Sequence, residues 1–161
     1  METLYTDTLQ FIYHLSLAIL VGGALVLGSA AAPGIFRTVR ARGEAGTIFG
    51  AVLARWDGLA ILCVIGVVLT SVLKAGAYEV NGVPELRLVA RWLALALLVI
   101  AVLYSSVWAN PVARSIRAQT PMWEDLPESS AARREFAQLH ARSSGAMRLA
   151  VIVGLVALFL S

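Results

Sequence analysis

Only thirteen residues, Leu149 to Ser161, follow Arg148, and they make up the last of four apolar stretches in the sequence. A helix of that length rises roughly 20 Å, against a bilayer hydrocarbon core of about 30 Å. If this stretch crosses a membrane, Arg148 and the residues just before it lie at membrane depth. An ionisable side chain at such depth is costly and marks a functional site by default. Function is therefore expected in the half of the bundle that holds Arg148.

The other stretches are easier to place. Residues 8–36 contain no Asp, Glu, Lys or Arg, residues 58–73 are uncharged up to Lys74, and residues 92–113 lie between Arg91 and Arg114. The second run alone would rise only roughly 24 Å. Its helix must then begin earlier, within Thr47–Leu53, and carry Arg55 and Asp57 into the inner leaflet. The sequence is 59% apolar and 14% charged, whereas soluble domains average about 45–50% and about 25%. One membrane domain over residues 1–161 is expected, all-α, with helices at about 8–36, 48–76, 88–113 and 131–161. The architecture is an antiparallel up-down four-helix transmembrane bundle. A long amphipathic extension precedes helix 4, whose membrane part covers about 143–161.

Charge supplies the orientation. Ten of the thirteen basic residues fall in the first and third connections, three in the second, and none in the N-terminal tail. Basic loops stay cytoplasmic, so both termini are expected on the non-cytoplasmic side, in a bacterial inner membrane. The net charge of +3 then reflects topology, and no nucleic-acid motif accompanies it. Ser29 to Ala32 resemble a signal-peptide cleavage site, but no Lys or Arg precedes the apolar run and the run is too long. It reads as a retained helix. The single cysteine, Cys63, excludes an internal disulfide and reads as a small buried hydrophobe.

Local signals mark the connections. Asn81-Gly82 with Pro84 forms a turn signal. Pro121, Asp125 and Pro127 break the chain, and Glu128-Ser129-Ser130 offers caps for a helix starting near Ala131. Pro33 is expected to kink or end helix 1. The four tryptophans, Trp56, Trp92, Trp108 and Trp123, sit near helix ends, as interfacial anchors do.

Two constellations carry chemistry. On helix 1, Ala18/Gly22 and Ala24/Gly28/Ala32 are small residues at i, i+4 spacing, suited to close helix packing, to lining a cavity or to a subunit contact. His14 shares that helix; it either bonds a neighbour or serves as a metal, haem or proton site. On helix 4, His140, Ser144 and Arg148 recur at i, i+4, i+8 on one face, with Phe136 one turn earlier. Arg148 needs a partner at depth, and Asp57 is the acid in reach. Arg55, Asn110 and Ser143 could complete the network. It either binds a ligand in a cytoplasm-facing polar cavity or is an ion pair that only fixes helices 2 and 4. His14 and His140 belong to opposite ends of antiparallel helices, so a shared bis-histidine site is not expected. No nucleophile–base pair, phosphate loop or metalloprotease motif is present, and an enzyme is not the favoured reading.

Four ordered pieces carry a family resemblance. They are His14-Leu15 into Val21-Gly22-Gly23 and Ala32 to Phe36; Ile48-Phe49-Gly50 to Arg55; Leu103-Tyr104-Ser105 to Asn110-Pro111 and Arg114; and Phe136 with Leu139-His140 and Ser143-Ser144. Together they resemble the transmembrane protein 205-like family. Where that family often has Gly after the last His and Asn four residues beyond the Ser pair, this sequence has Ala141 and Arg148. The resemblance implies a four-helix membrane protein without a settled activity, and the eukaryotic member's link to platinum-drug resistance suggests transport or metal handling. Helix 1 alone is similar to copper-resistance protein D and the HemJ-type haem-synthesis oxidases, which would imply copper or haem at His14.

Three functions follow as expectations. The first is a transporter or ligand-binding protein, homo-oligomeric, taking a small polar ligand or metal ion at Asp57, Arg148, His140, Ser144, Arg55 and Asn110. The second is a haem- or copper-linked redox protein using His14. The third is a structural or assembly protein with no ligand. The lipid bilayer is a partner in all three.

Overall fold

The computed structural model describes residues 2–80, 82–120 and 122–161. Asn81 and Pro121, on which two of the turn readings partly rest, lie outside the described residues. Helix α1 (Glu2–Val26) passes through a π turn, Leu27–Ala31, into α2 (Ala32–Thr38). Helix α3 (Arg42–Lys74) ends in a second π turn, Ala75–Glu79. Helix α4 (Leu86–Leu103) continues through a third, Tyr104–Ala109, into α5 (Asn110–Gln119). A short 3-10 turn, Trp123–Asp125, leads to α6 (Ala131–Phe159). Among the described residues there is no strand.

Four continuous helical units, Thr3–Thr38, Arg42–Glu79, Leu86–Gln119 and Ala131–Phe159, are long and apolar enough to cross a membrane. The protein is an all-α membrane bundle. Every unit reaches beyond its uncharged run. The second begins at Arg42 and the third continues to Gln119, six residues past the last uncharged residue, Ala113.

The prolines explain how. Pro33 and Pro111 lie in the first turns of α2 and α5, each directly after a π turn. Proline lacks the N–H that an α-helix needs at that position. The chain widens instead of breaking: Ala32 N–H bonds Leu27 O, and Asn110 N–H bonds Ser105 O, both five residues back. Helix 1 therefore does not stop at Pro33 but runs to Thr38. At α6 the Ser130 hydroxyl accepts from the Arg133 N–H at 3.4 Å, which caps the helix where the serine pair predicts a start.

Packing follows one apolar seam on each helix, with a glycine at its closest approaches. Tyr13, Leu17 and Leu20 of α1, Ala60, Val64 and Val67 of α3, Leu95, Leu98 and Val102 of α4, and Ala150, Val153 and Ala157 of α6 are all buried. They recur at three- and four-residue steps, which gives each helix one inward seam. Lipid chains are as apolar as these side chains, so association relies on close packing. A Cβ on Gly154 would lie 2.6 Å from Val21 and 3.0 Å from Leu98. Gly23 receives the Trp56 ring, so Trp56 is a core residue and not an interfacial anchor. The outward faces carry exposed Leu62, Leu69, Leu97, Ile100 and Phe159, a surface for lipid.

The tightest pairings are α1 with α3 and α4 with α6. The bundle is two close pairs joined along looser seams. Two ends result. One, where α1 starts and α6 stops, carries the α3–α4 connection. The other carries the α2–α3 and α5–α6 connections and most of the arginines; it is called the arginine-rich end below.

Candidate ligand-binding site

At the arginine-rich end a buried polar network ties three of the four units together. Asp57 on α3 is 4% exposed. Its carboxylate accepts from Asn110 Nδ2 at 2.8 Å and from Arg114 Nη1 at 2.7 Å. Asn110 Oδ1 in turn accepts from Ser143 Oγ at 2.6 Å, and Ser143 shares a 2.6 Å hydroxyl contact with Ser105 in the third π turn. Burying a carboxylate is unfavourable unless charge and hydrogen bonds compensate, and here both oxygens are used.

The expected partner of Asp57 was Arg148; the partner is Arg114. The reason is that the helix does not stop at residue 113 but runs on to Gln119. Because α5 continues, Arg114 lies four residues after Asn110 on the same face, and both side chains meet Asp57. Arg148 is exposed and makes no ion pair or hydrogen bond among the described residues. Arg55 is likewise exposed, outside the network.

Beside the network lies a cleft with two chambers. The first, of about 660 Å³, is bounded by α1 and its π turn on one side and α6 on the other. Ala24, Gly28 and Ala32 line it, so the small-residue row of helix 1 borders a cavity; a Cβ on Gly28 would meet nothing within 4 Å. Opposite stand His140, Ser144, Met147, Arg148 and Val151. The stripe read from helix 4 thus meets at one wall. The second chamber, of about 950 Å³, lies among α3, α5, the 3-10 turn and the start of α6. Phe49, Leu53, Asn110 and His140 line both and mark their junction. The His140 ring stacks on Phe136 at 6.1 Å.

Positive charge dominates the second chamber. Arg42, Arg114, Arg117, Arg133 and Arg134 line it with Glu124 and Glu128. Some of these cations have structural work. Arg117 bonds Gly43 O at 2.7 Å and Glu124 at 3.0 Å; Arg133 bonds Trp123 O at 2.9 Å and lies over its ring. Arg42, Arg134 and Arg148 have no such partner among the described residues and are exposed. They remain available to an anion.

The opposite end holds a cluster that the sequence reading did not find. Glu79 pairs with Lys74 at 3.2 Å and, more tightly, with Arg91. Lys74 is 1% exposed and sits 4.3 Å above the Tyr13 ring. His14 lies next to this cluster, and its Nε2 contacts Ser161 Oγ at 2.9 Å. Among the described residues no three His, Cys, Asp or Glu side chains converge as metal ligands. The neighbours of His14 include the cations Lys74 and Arg91, a poor setting for copper, and roughly 30 Å of α6 rise separates Ser161 from His140.

Comparison with known families agrees with the coarse reading. The family described as Domain of unknown function (DUF4149) matches residues 15–121, about two thirds of the chain, and the chain belongs to it. That match covers Asp57, Asn110 and Arg114 and stops before α6. It does not extend to the transmembrane protein 205-like assignment or to the HemJ-type likeness. No curated protein and no solved structure matches the chain.

Proposed function

We propose that this DUF4149 membrane protein binds a ligand bearing an anionic group in the cleft at its arginine-rich end, with Arg148 as the contact residue. One observation carries the reading: Arg148 borders a largely apolar chamber, exposed and without a partner among the described residues, although Asp57 is buried in the neighbouring network. A guanidinium among apolar side chains is stabilised by an anion. His140 and Ser144, on the same wall, supply further hydrogen-bonding groups. Asp57 and Asn110 hold the chamber's floor in place and do not touch the ligand. The positive-inside rule assigns this end to the cytoplasmic side, so the ligand comes from the cytoplasm or the inner leaflet.

Transport of that ligand is the second reading, favoured by the junction of the two chambers at Asn110 and His140. The ordered likeness to transmembrane protein 205-like proteins points the same way. Thermal unfolding of detergent-purified protein tests the binding. At least one anionic phosphate source, free or lipid-borne, should raise the midpoint where neutral and cationic analogues do not, and Arg148→Ala should remove the rise. Equal responses to all charge classes, or an undiminished response in the variant, would discard the reading.

A further inference from the structure

We infer that the ligand of this cleft is an anionic glycerophospholipid drawn sideways from the surrounding leaflet, its phosphate at Arg148 and an acyl chain in the first chamber. This rests on the reading above that the cleft binds an anionic group.

Three features select a lipid over a soluble ion. The first is where the chamber opens. Leu25 and Ile152 both line it, yet they are 47% and 60% exposed on the outside of α1 and α6. Side chains that are at once rim and lipid-facing surface describe a lateral gap between these helices. The second is the composition of the wall. Ala24, Gly28 and Ala32 form a shallow groove along one helix, and Met147, Val151 and Ile152 face it. An extended acyl chain fits such a groove; a hydrated ion gains nothing from it.

The third is depth. The carbonyls of Phe159 and Leu160 accept from the Arg87 guanidinium at 3.3 Å and 3.2 Å. A charged residue at the start of α4 thus marks the polar boundary at the opposite end. From Phe159 back to Arg148 is eleven residues, roughly 17 Å of rise, about half of a hydrocarbon core near 30 Å. The Arg148 Cα is therefore well inside the bilayer, and its stem lets the guanidinium reach only partway toward the arginine-rich interface. A free anion does not enter hydrocarbon to meet it, whereas a phospholipid leaning into the gap carries its phosphate there. The unpaired Arg42 and Arg134 of the second chamber extend the positive field toward the headgroup level.

The experiment uses the full chain in neutral detergent and follows thermal unfolding with dioleoyl phosphatidylglycerol, dioleoyl phosphatidylcholine or inorganic phosphate. Phosphatidylglycerol at about a hundredfold over its dissociation constant should raise the midpoint by roughly 5–10 °C. The other two should leave it nearly unchanged. Arg148→Ala and, independently, Gly28→Leu should each abolish the rise; the second fills the groove and keeps the arginine, so the test survives if one variant fails to fold. If inorganic phosphate stabilises as well as the lipid, the lipid inference falls while the anion-binding function stands. If phosphatidylcholine matches phosphatidylglycerol, or if neither phosphate source acts, both fall. A response retained in both variants places the lipid elsewhere and overturns the inference.

Discussion

The two ends of this bundle treat their cations in opposite ways. Where α1 starts and α6 stops, Lys74 and Arg91 share one carboxylate, Glu79, and lie against the Tyr13 ring, sealed from solvent. At the arginine-rich end, Arg114 is bound to Asp57, but Arg148 stands open in the wall of a chamber. A cation closed in by an acid and an aromatic face is a fastening. A cation left open among apolar side chains is, under the proposed function, a receptor. The contrast separates residues that hold the fold from residues that are free to bind.

The sharpest way to break the contrast is at Glu79. Glu79→Ala leaves two buried cations facing each other without a counter-charge, and should destabilise the protein by about 3–5 kcal/mol, read as a lowered midpoint in thermal or denaturant unfolding. A loss no larger than that from Arg148→Ala would remove the distinction between the ends.

Next in size is the identity of the partner of Asp57. A double-mutant cycle on Asp57→Ala and Arg114→Ala should return a coupling of about 1–3 kcal/mol. The same cycle with Arg148→Ala should return less than about 0.5 kcal/mol. Reversed values would restore the Asp57–Arg148 pair read from the span lengths.

Tyr13 refines the fastening. Its ring meets Lys74, while its hydroxyl has no hydrogen-bond partner among the described residues. Tyr13→Phe should thus be neutral or slightly stabilising, since a buried unpaired hydroxyl is itself unfavourable. Tyr13→Leu should cost about 1–2 kcal/mol through the lost cation–π contact. Equal effects in chemical denaturation would mean that the ring is not what holds Lys74.

The smallest expected change is the most telling. Arg148→Ala in ligand-free protein should leave stability unchanged or raise it slightly, because it removes from membrane depth a guanidinium with no partner among the described residues. A large loss in the same unfolding assay would make Arg148 a structural residue and close the apparent difference between the two ends.

Much of this could be read from the residues. Four uncharged runs specify the bundle, Ser130 marks the start of α6, and the spacing of His140, Ser144 and Arg148 puts them on one wall. Ala24, Gly28 and Ala32 read as packing residues, cavity lining or a subunit contact, and in the structure they border a cavity. What escaped has a common cause. The third helix is bounded at residue 113 by the first charge after the apolar run, which counts Arg114 with the connection instead of on the face it shares with Asn110. Trp56 looked interfacial because its partner, Gly23, lies on another helix. Lys74, Glu79 and Arg91 are brought together only by the α3–α4 connection and by a helix that continues past Lys74. Tertiary pairing of this kind leaves no periodic signal in a single sequence.

The third π turn has one further consequence. A wide turn is an α-helix into which one extra residue has been slipped, and each residue turns the helix by about 100°. Everything downstream of Tyr104–Ala109 is set by that insertion, including the direction in which Asn110 and Arg114 project. Loss of a single codon in this segment would leave composition, hydropathy and length almost untouched. It would nonetheless rotate the two residues that hold Asp57 toward a different neighbour, so the phase of this helix is itself a heritable trait.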